Sequence, residues 1–248
     1  MRRRSWGWVV LRWVGEFGVY LVVAVLVVVL IRLFLVQPFL VPTGSMENTL
    51  EVGDTIVTWK PGAPERGEIV VFRDDLNWLP PAEPVPTWKR VLSWIRVLPP
   101  PDEQYLVKRL IGLPGDHVTC CDVQGRVLVN GEPLDEADYL FPDGAGSTVA
   151  PSDIAFDVIV PADHFFVLGD HRNGSADSRY HMCAGSTQTP AIAFPSLDAI
   201  QGKAFAIMRP FSRAQTFKIP PTFAGIPPAS QPPPSLNDVT WTCPLTTI

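Results

Sequence analysis

The chain has 248 residues, 46% of them hydrophobic, and a mean hydropathy of +0.15, which excludes a disordered chain and gives room for one large domain or two small ones. Its formal charge of −5 is uneven: residues 1–40 hold five arginines and one acid, Glu16, leaving 15 basic against 24 acidic residues beyond them. An acidic body excludes a nucleic-acid-binding domain, whose affinity comes from Lys and Arg clustered on phosphates.

Residues 1–16 form a basic leader with Arg2, Arg3, Arg4 and Arg12. From 17 to 36 there is one charge, Arg32, and twenty helical residues at about 1.5 Å each cross about 30 Å, the depth of a bilayer core. The valines of this run favour strands, but strands seldom reach such length and lipid accepts only helices or closed barrels. A transmembrane helix is therefore expected, with Trp6, Trp8 and Trp13 at its inner interface and Arg32 extending to the far head groups. The basic leader places the N-terminus in the cytoplasm and the chain after about 37 on the extracytoplasmic face of the plasma membrane. No small-x-small cleavage pattern follows the apolar run, so the segment reads as a retained anchor.

Residues 37–212 predict a mainly β domain. Short apolar runs at 55–59, 68–72, 105–111, 126–129, 154–160, 165–168 and 202–208 read as strands, and Asn130-Gly131 after Val127-Leu128-Val129 is a hairpin signal. Residues 80–101, flanked and punctuated by Trp78, Trp88 and Trp94, read as a Pro-rich surface loop, with a resting place on the bilayer interface as the alternative. Residues 213–248 read as a Pro-rich, extended, unstructured tail, with docking on the body through Trp241 or Cys243 as the alternative. Cys120, Cys121, Cys183 and Cys243 could oxidise outside the cytoplasm, in a pairing that spacing leaves open. They lack C-x-x-C spacing, so no metal site is expected.

The chain has no G-x-S-x-G elbow, no H-E-x-x-H and no Walker loop. Four other segments stand in order after the anchor. They are Thr43-Gly44-Ser45-Met46; Arg66-Gly67-Glu68-Ile69-Val70-Val71-Phe72; Lys108-Arg109-Leu110-Ile111-Gly112-Leu113-Pro114-Gly115-Asp116; and Gly169-Asp170-His171-Arg172-Asn173-Gly174-Ser175-Ala176-Asp177-Ser178-Arg179. In this order they resemble the type I signal peptidases, in their bacterial single-span form, over about residues 37–210. The resemblance implies a mainly β catalytic domain and a serine-lysine protease without cofactor or metal. Ser45 would be the nucleophile, Lys108 the general base, Thr43 and the Ser45 backbone N–H the oxyanion hole, and Ser175 the residue that orients the lysine. Asp170, Arg172, Asp177 and Arg179 would be structural supports. Its partners would be the signal peptides of exported preproteins and the lipid bilayer, with the secretion translocon nearby.

A lysine base must lose its proton near neutral pH, which burial can achieve. In a strand over 105–111, Leu106, Lys108 and Leu110 share one face and Val107, Arg109 and Ile111 the other, so alternation does not choose between the two cations. Chemistry does, because Arg does not deprotonate in proteins. The chain departs from the family pattern at Asn48, where Pro is usual, at His171, where many members have Asn, and at Gly174, where many have Asn. Two rival readings remain at this point: a specialised peptidase of the same clan serving one exported substrate, and an inactive membrane-tethered peptide-binding domain.

Overall fold

The apolar run folds as one continuous helix, α1 (Trp6–Phe34), about 43 Å long at about 1.5 Å per residue. The structure, a computed structural model, describes residues 6–81, 86–87, 103–184, 192–239 and 241–242. The stretch Arg12–Arg32 is long and apolar enough to cross a bilayer. Phe17, Tyr20, Val25 and Leu30 are exposed around it, so the described residues leave its apolar surface uncovered on every side. The expected limits of 17–36 differ from the observed ones. The helix begins earlier, at Trp6, and stops at Phe34, because Val36 is already hydrogen-bonded into a sheet opposite Trp59.

Twelve strands follow among the described residues. They are β1 (Val36–Leu40), β2 (Thr55–Trp59), β3 (Ile69–Arg73), β4 (Tyr105–Gly112), β5 (His117–Cys120) and β6 (Val127–Val129), then β7 (Glu132–Pro133), β8 (Phe156–Ile159), β9 (Phe166–Leu168), β10 (Ile200–Arg209), β11 (Gln215–Thr216) and β12 (Trp241–Thr242). The body is thus mainly β. One antiparallel sheet has the order β1-β2-β10-β3-β4-β9, with β11 added to β10, and a second has the order β12-β8-β5-β6-β7. All seven strands expected from sequence are present within a few residues of their expected ends. The apolar run of the anchor hid β1, and its Pro38 is tolerated because β1 is an edge strand. Asn130 and Gly131, with φ of 52° and 84°, make the tight link between β6 and β7.

Three apolar clusters hold the body together. The largest joins the two sheets, bringing Ile111, Phe166 and Leu168 of the first against Val118, Phe156 and Val158 of the second. On the first sheet, Phe39, Val41, Met46 and Val107 pack on one side, while Val70, Phe72, Leu110 and Phe165 form a separate cluster. Strand β4 contributes to all three, so both of its faces are buried.

The tail expected over 213–248 is corrected by the structure for its described part. Phe223 is buried, β11 pairs with β10 and β12 pairs with β8, so this segment closes the body instead of leaving it. Its apolar residues at 223, 226, 236, 239 and 241 join the cluster between the sheets, a burial that Pro content alone does not reveal. Cys120 and Cys121 are joined in a disulfide. The Cys183 side chain, Cys243, Trp88, Trp94 and most of the 80–101 loop lie outside the described residues. Trp78, at the entrance to that loop, donates its indole N–H to the Ile192 carbonyl at 2.7 Å and stacks on His181.

Candidate active site

Two cations sit side by side in β4, each 3% exposed, and the fold treats them oppositely. Arg109 meets Asp170 through two parallel bonds, Nε to Oδ1 at 2.8 Å and Nη2 to Oδ2 at 2.6 Å, donates to the Gly67 carbonyl at 2.8 Å, and lies 4.1 Å from the Tyr139 ring centroid. A buried guanidinium satisfied on this many sides stays charged. Lys108 pairs with no carboxylate among the described residues, and its Nζ instead hydrogen-bonds Ser45 Oγ. Burial pushes its pKa from 10.5 down to about 8; Asp177 and Asp170 oppose the shift and Arg179 adds to it.

Ser45 is delivered by the short helical turn Gly44–Met46 that follows β1. Val41 before it and Met46 after it are buried in the first-sheet cluster, which pins the turn from below. From above, the segment 169–179 closes on it: the His171 backbone N–H donates to the Ser45 carbonyl at 3.2 Å, and Thr49 Oγ1 donates to Asp170 Oδ2 at 2.6 Å. Gly169 permits this approach, since a Cβ there would run into the Ser45 carbonyl and Ser175 Oγ. Ser45 is 9% exposed, so its hydroxyl is shielded from water but reachable. Ser45, Lys108 and Thr43 line one small cleft with Met46, Leu79 and Tyr105.

The other residues named from sequence fall close by, with different degrees of engagement. Thr43 precedes the turn, is exposed, and makes no capping bond with its hydroxyl. Ser175 Oγ is buried with no hydrogen-bond partner among the described residues, and so no bond joins it to Lys108. Asp177 accepts from the Gly169 N–H at 3.1 Å and from Arg179 at 2.8 and 3.0 Å; burial alone would raise its carboxyl, and Arg179 holds it below its ordinary value. Arg172 forms a buried ion pair with Glu136 and donates to the Pro151 and Gly169 carbonyls at 2.6 and 3.0 Å.

Glu136, Thr49 and Tyr139 escaped the sequence reading. Glu136 and Tyr139 belong to no motif, and the contacts that matter run across long stretches of chain: 36 residues separate Arg172 from Glu136, and 121 separate Thr49 from Asp170. The only available signal was generic, since a buried Arg demands an acceptor without saying which.

A serine hydroxyl against an unpaired, pKa-lowered lysine in a water-poor cleft is an arrangement for proton removal and nucleophilic attack. Comparison with known proteins places the chain in a peptidase family. The family model described as "Signal peptidase, peptidase S26" matches residues 14–209, which include every residue of this site. Signal peptidase I of Mycobacterium tuberculosis is 33% identical over 222 residues, spanning 80% of this chain and 73% of that protein. Signal peptidase I of Pseudomonas aeruginosa is 29% identical over 230 residues, spanning 77% and 71%. A crystal structure of a signal peptidase I from Enterococcus faecalis is 26% identical with a TM-score of 0.36, covering 57% of this chain and 97% of that one. On the extent of the family match and the identity to the mycobacterial enzyme, the chain belongs to the signal peptidase family, peptidase S26.

Proposed function

We propose that this chain is a membrane-anchored serine endopeptidase that removes N-terminal signal peptides from exported preproteins, with Ser45 as nucleophile and Lys108 as general base. The observation that carries the roles is the bond between Lys108 Nζ and Ser45 Oγ, in a site where the neighbouring Arg109 has a carboxylate and the lysine has none among the described residues. With Lys108 neutral, the Ser45 hydroxyl donates to Nζ, and Oγ attacks the scissile carbonyl as its proton passes to the lysine. The resulting ammonium returns the proton to the leaving amine, and water then hydrolyses the ester on Ser45 by the same exchange. The Thr43 hydroxyl and the Ser45 backbone N–H serve the developing oxyanion in this reading, Thr43 and Ser45 both being among the residues that line the cleft. Ser175 orients the lysine in this reading, its buried and unpartnered Oγ being available to take a bond from Nζ as the proton moves. Asp170, Arg172, Asp177 and Arg179 hold the shape of the segment around them through their ion pairs and carbonyl contacts.

In the same reading the leader is cytoplasmic, the stretch Arg12–Arg32 of α1 crosses the membrane, the chain from β1 onward is an extracytoplasmic catalytic domain, and the described part of 213–248 closes on it. The bilayer and the emerging signal peptides are its partners, with the translocon near. The test is incubation of the purified protein in lipid with a preprotein and N-terminal sequencing of the product. Ser45→Ala and Lys108→Ala each abolish cleavage with insertion intact, since the pair acts as one unit; near-normal turnover in either removes the assignment. Protease added outside spheroplasts digests the body while a tag before Arg2 survives, and protection of the body reverses the orientation.

A further inference from the structure

The three departures from the family pattern, Asn48, His171 and Gly174, converge on one spot beside the nucleophile. His171 Nδ1 lies 3.0 Å from Glu47 Oε2 and 3.2 Å from the Gly44 carbonyl oxygen. Both partners are acceptors, so Nδ1 carries the proton and donates to each. The imidazole stacks on Phe141, with centroids 3.9 Å apart and planes at 13°. A Cβ on residue 174 would come within 3.1 Å of three atoms of the ring, so Gly174 leaves the space the imidazole fills. Asn48 has φ of 81°, a value closed to Pro, and its Nδ2 donates to the Leu140 carbonyl at 3.1 Å, next to Phe141. The Phe141 N–H in turn donates to the Asp170 carbonyl at 3.1 Å.

We propose that His171, braced by Glu47 and Phe141, is a positioning residue for Ser45, with Gly174 leaving room for the ring and Asn48 tying down the neighbouring Leu140 carbonyl. The inference rests on the cleavage reaction proposed above. The Gly44 carbonyl and the Ser45 N–H belong to one planar peptide unit, so a bond that fixes the carbonyl also fixes the direction of the N–H offered to the oxyanion. His171 also holds the next carbonyl, that of Ser45, through its own N–H. One residue therefore sets both peptide planes that flank the nucleophile.

The experiment is steady-state cleavage of a preprotein by the full-length protein in lipid, with thermal melting of each variant. His171→Ala lowers kcat about 10-fold or more and leaves KM within about twofold and the melting midpoint close to wild type, the signature of a misdirected donor. Glu47→Ala, a partly exposed side chain whose loss spares the core, gives a smaller fall of the same kind and stands in should His171→Ala fold poorly. Gly174→Asn lowers kcat by crowding the ring, and adding His171→Asn restores several-fold of that loss by removing it. Unchanged kcat in both His171→Ala and Glu47→Ala, a loss confined to KM, or no rescue in the double variant overturns the brace. Failure of the wild-type protein to cleave the preprotein overturns the cleavage reading instead.

Discussion

At the scale of single residues, the contrast between Lys108 and Arg109 organises the site. Each is buried, but the bidentate Asp170 fixes the charge of one, and the absence of any such partner among the described residues leaves the other near pKa 8. Two results follow from that value. With Lys108 as the proposed base, cleavage should rise about tenfold per pH unit below about 8 and level above it when chemistry limits the rate, because only a neutral lysine can accept the serine proton; a rate flat from about pH 5 to 9 contradicts a lysine base. Stability moves too. Between about 8 and 10.5 the unfolded chain binds the lysine proton and the folded chain does not, so stability rises with pH across that window. Below it the buried lysine costs the fold about 3 kcal/mol, by the gap between the two values. Lys108→Met should therefore be the more stable protein at pH 7, by up to about 3 kcal/mol, with the advantage shrinking towards pH 10.5. Denaturant melts at the two pH values measure this, and an advantage independent of pH removes the assigned shift.

At the scale of elements, β4 and the segment 169–179 close on the Gly44–Met46 turn from two directions, and the C-terminal segment then locks the sheets together. Phe223 is the anchor of that last step, buried at 6% exposure, stacked 6.4 Å from Tyr139 and filling the space above Gly67. Phe223→Ala should destabilise the protein by about 3 kcal/mol and lower its melting midpoint by about 6–12 °C, the range for an emptied aromatic site in a chain of this size. A midpoint unmoved within about 1 °C would mean that the segment is only loosely applied. The strands bounded by turns were legible in sequence because alternation and Asn130-Gly131 are local signals. Strand β1 was not, since its apolar residues run on from the helix, and neither was the docking of Phe223, Val239 and Trp241, whose contacts are distant in sequence. At the site, Ser45 and Lys108 were reached through motif resemblance, as periodicity was silent between Lys108 and Arg109 with both faces of β4 buried. Glu136 and the Glu47–His171 contact were out of reach for the same reason as Phe223, since tertiary pairing has no local period.

At the scale of the whole molecule, the anchor and the catalytic body are joined almost without slack. Helix α1 ends at Phe34, β1 begins at Val36, and Leu35 between them is held on both sides: its N–H donates to the Ile31 carbonyl at 2.8 Å, and its carbonyl accepts from the Lys60 N–H at 2.9 Å. Ser45 follows β1 directly, so the length of chain between membrane and nucleophile is a five-residue strand and a short loop. In the proposed function a substrate whose own apolar helix sits in the same bilayer would present its cleavable end at the same height, and a short junction would convert that coincidence into a high effective concentration of scissile bond at Ser45. A soluble peptide gains nothing from such matching. Inserting about ten Gly and Ser residues at Leu35 adds roughly 18 Å of flexible reach and frees the body to tumble away from the surface. The variant should cleave a membrane-embedded preprotein with kcat/KM several-fold below wild type, while its kcat/KM for a short soluble peptide carrying the same cleavage sequence stays within about twofold. An equal fall for both substrates would mean that the insertion damages β1 and the turn behind it, and no fall for either would mean that the catalytic body finds its substrate without help from the anchor.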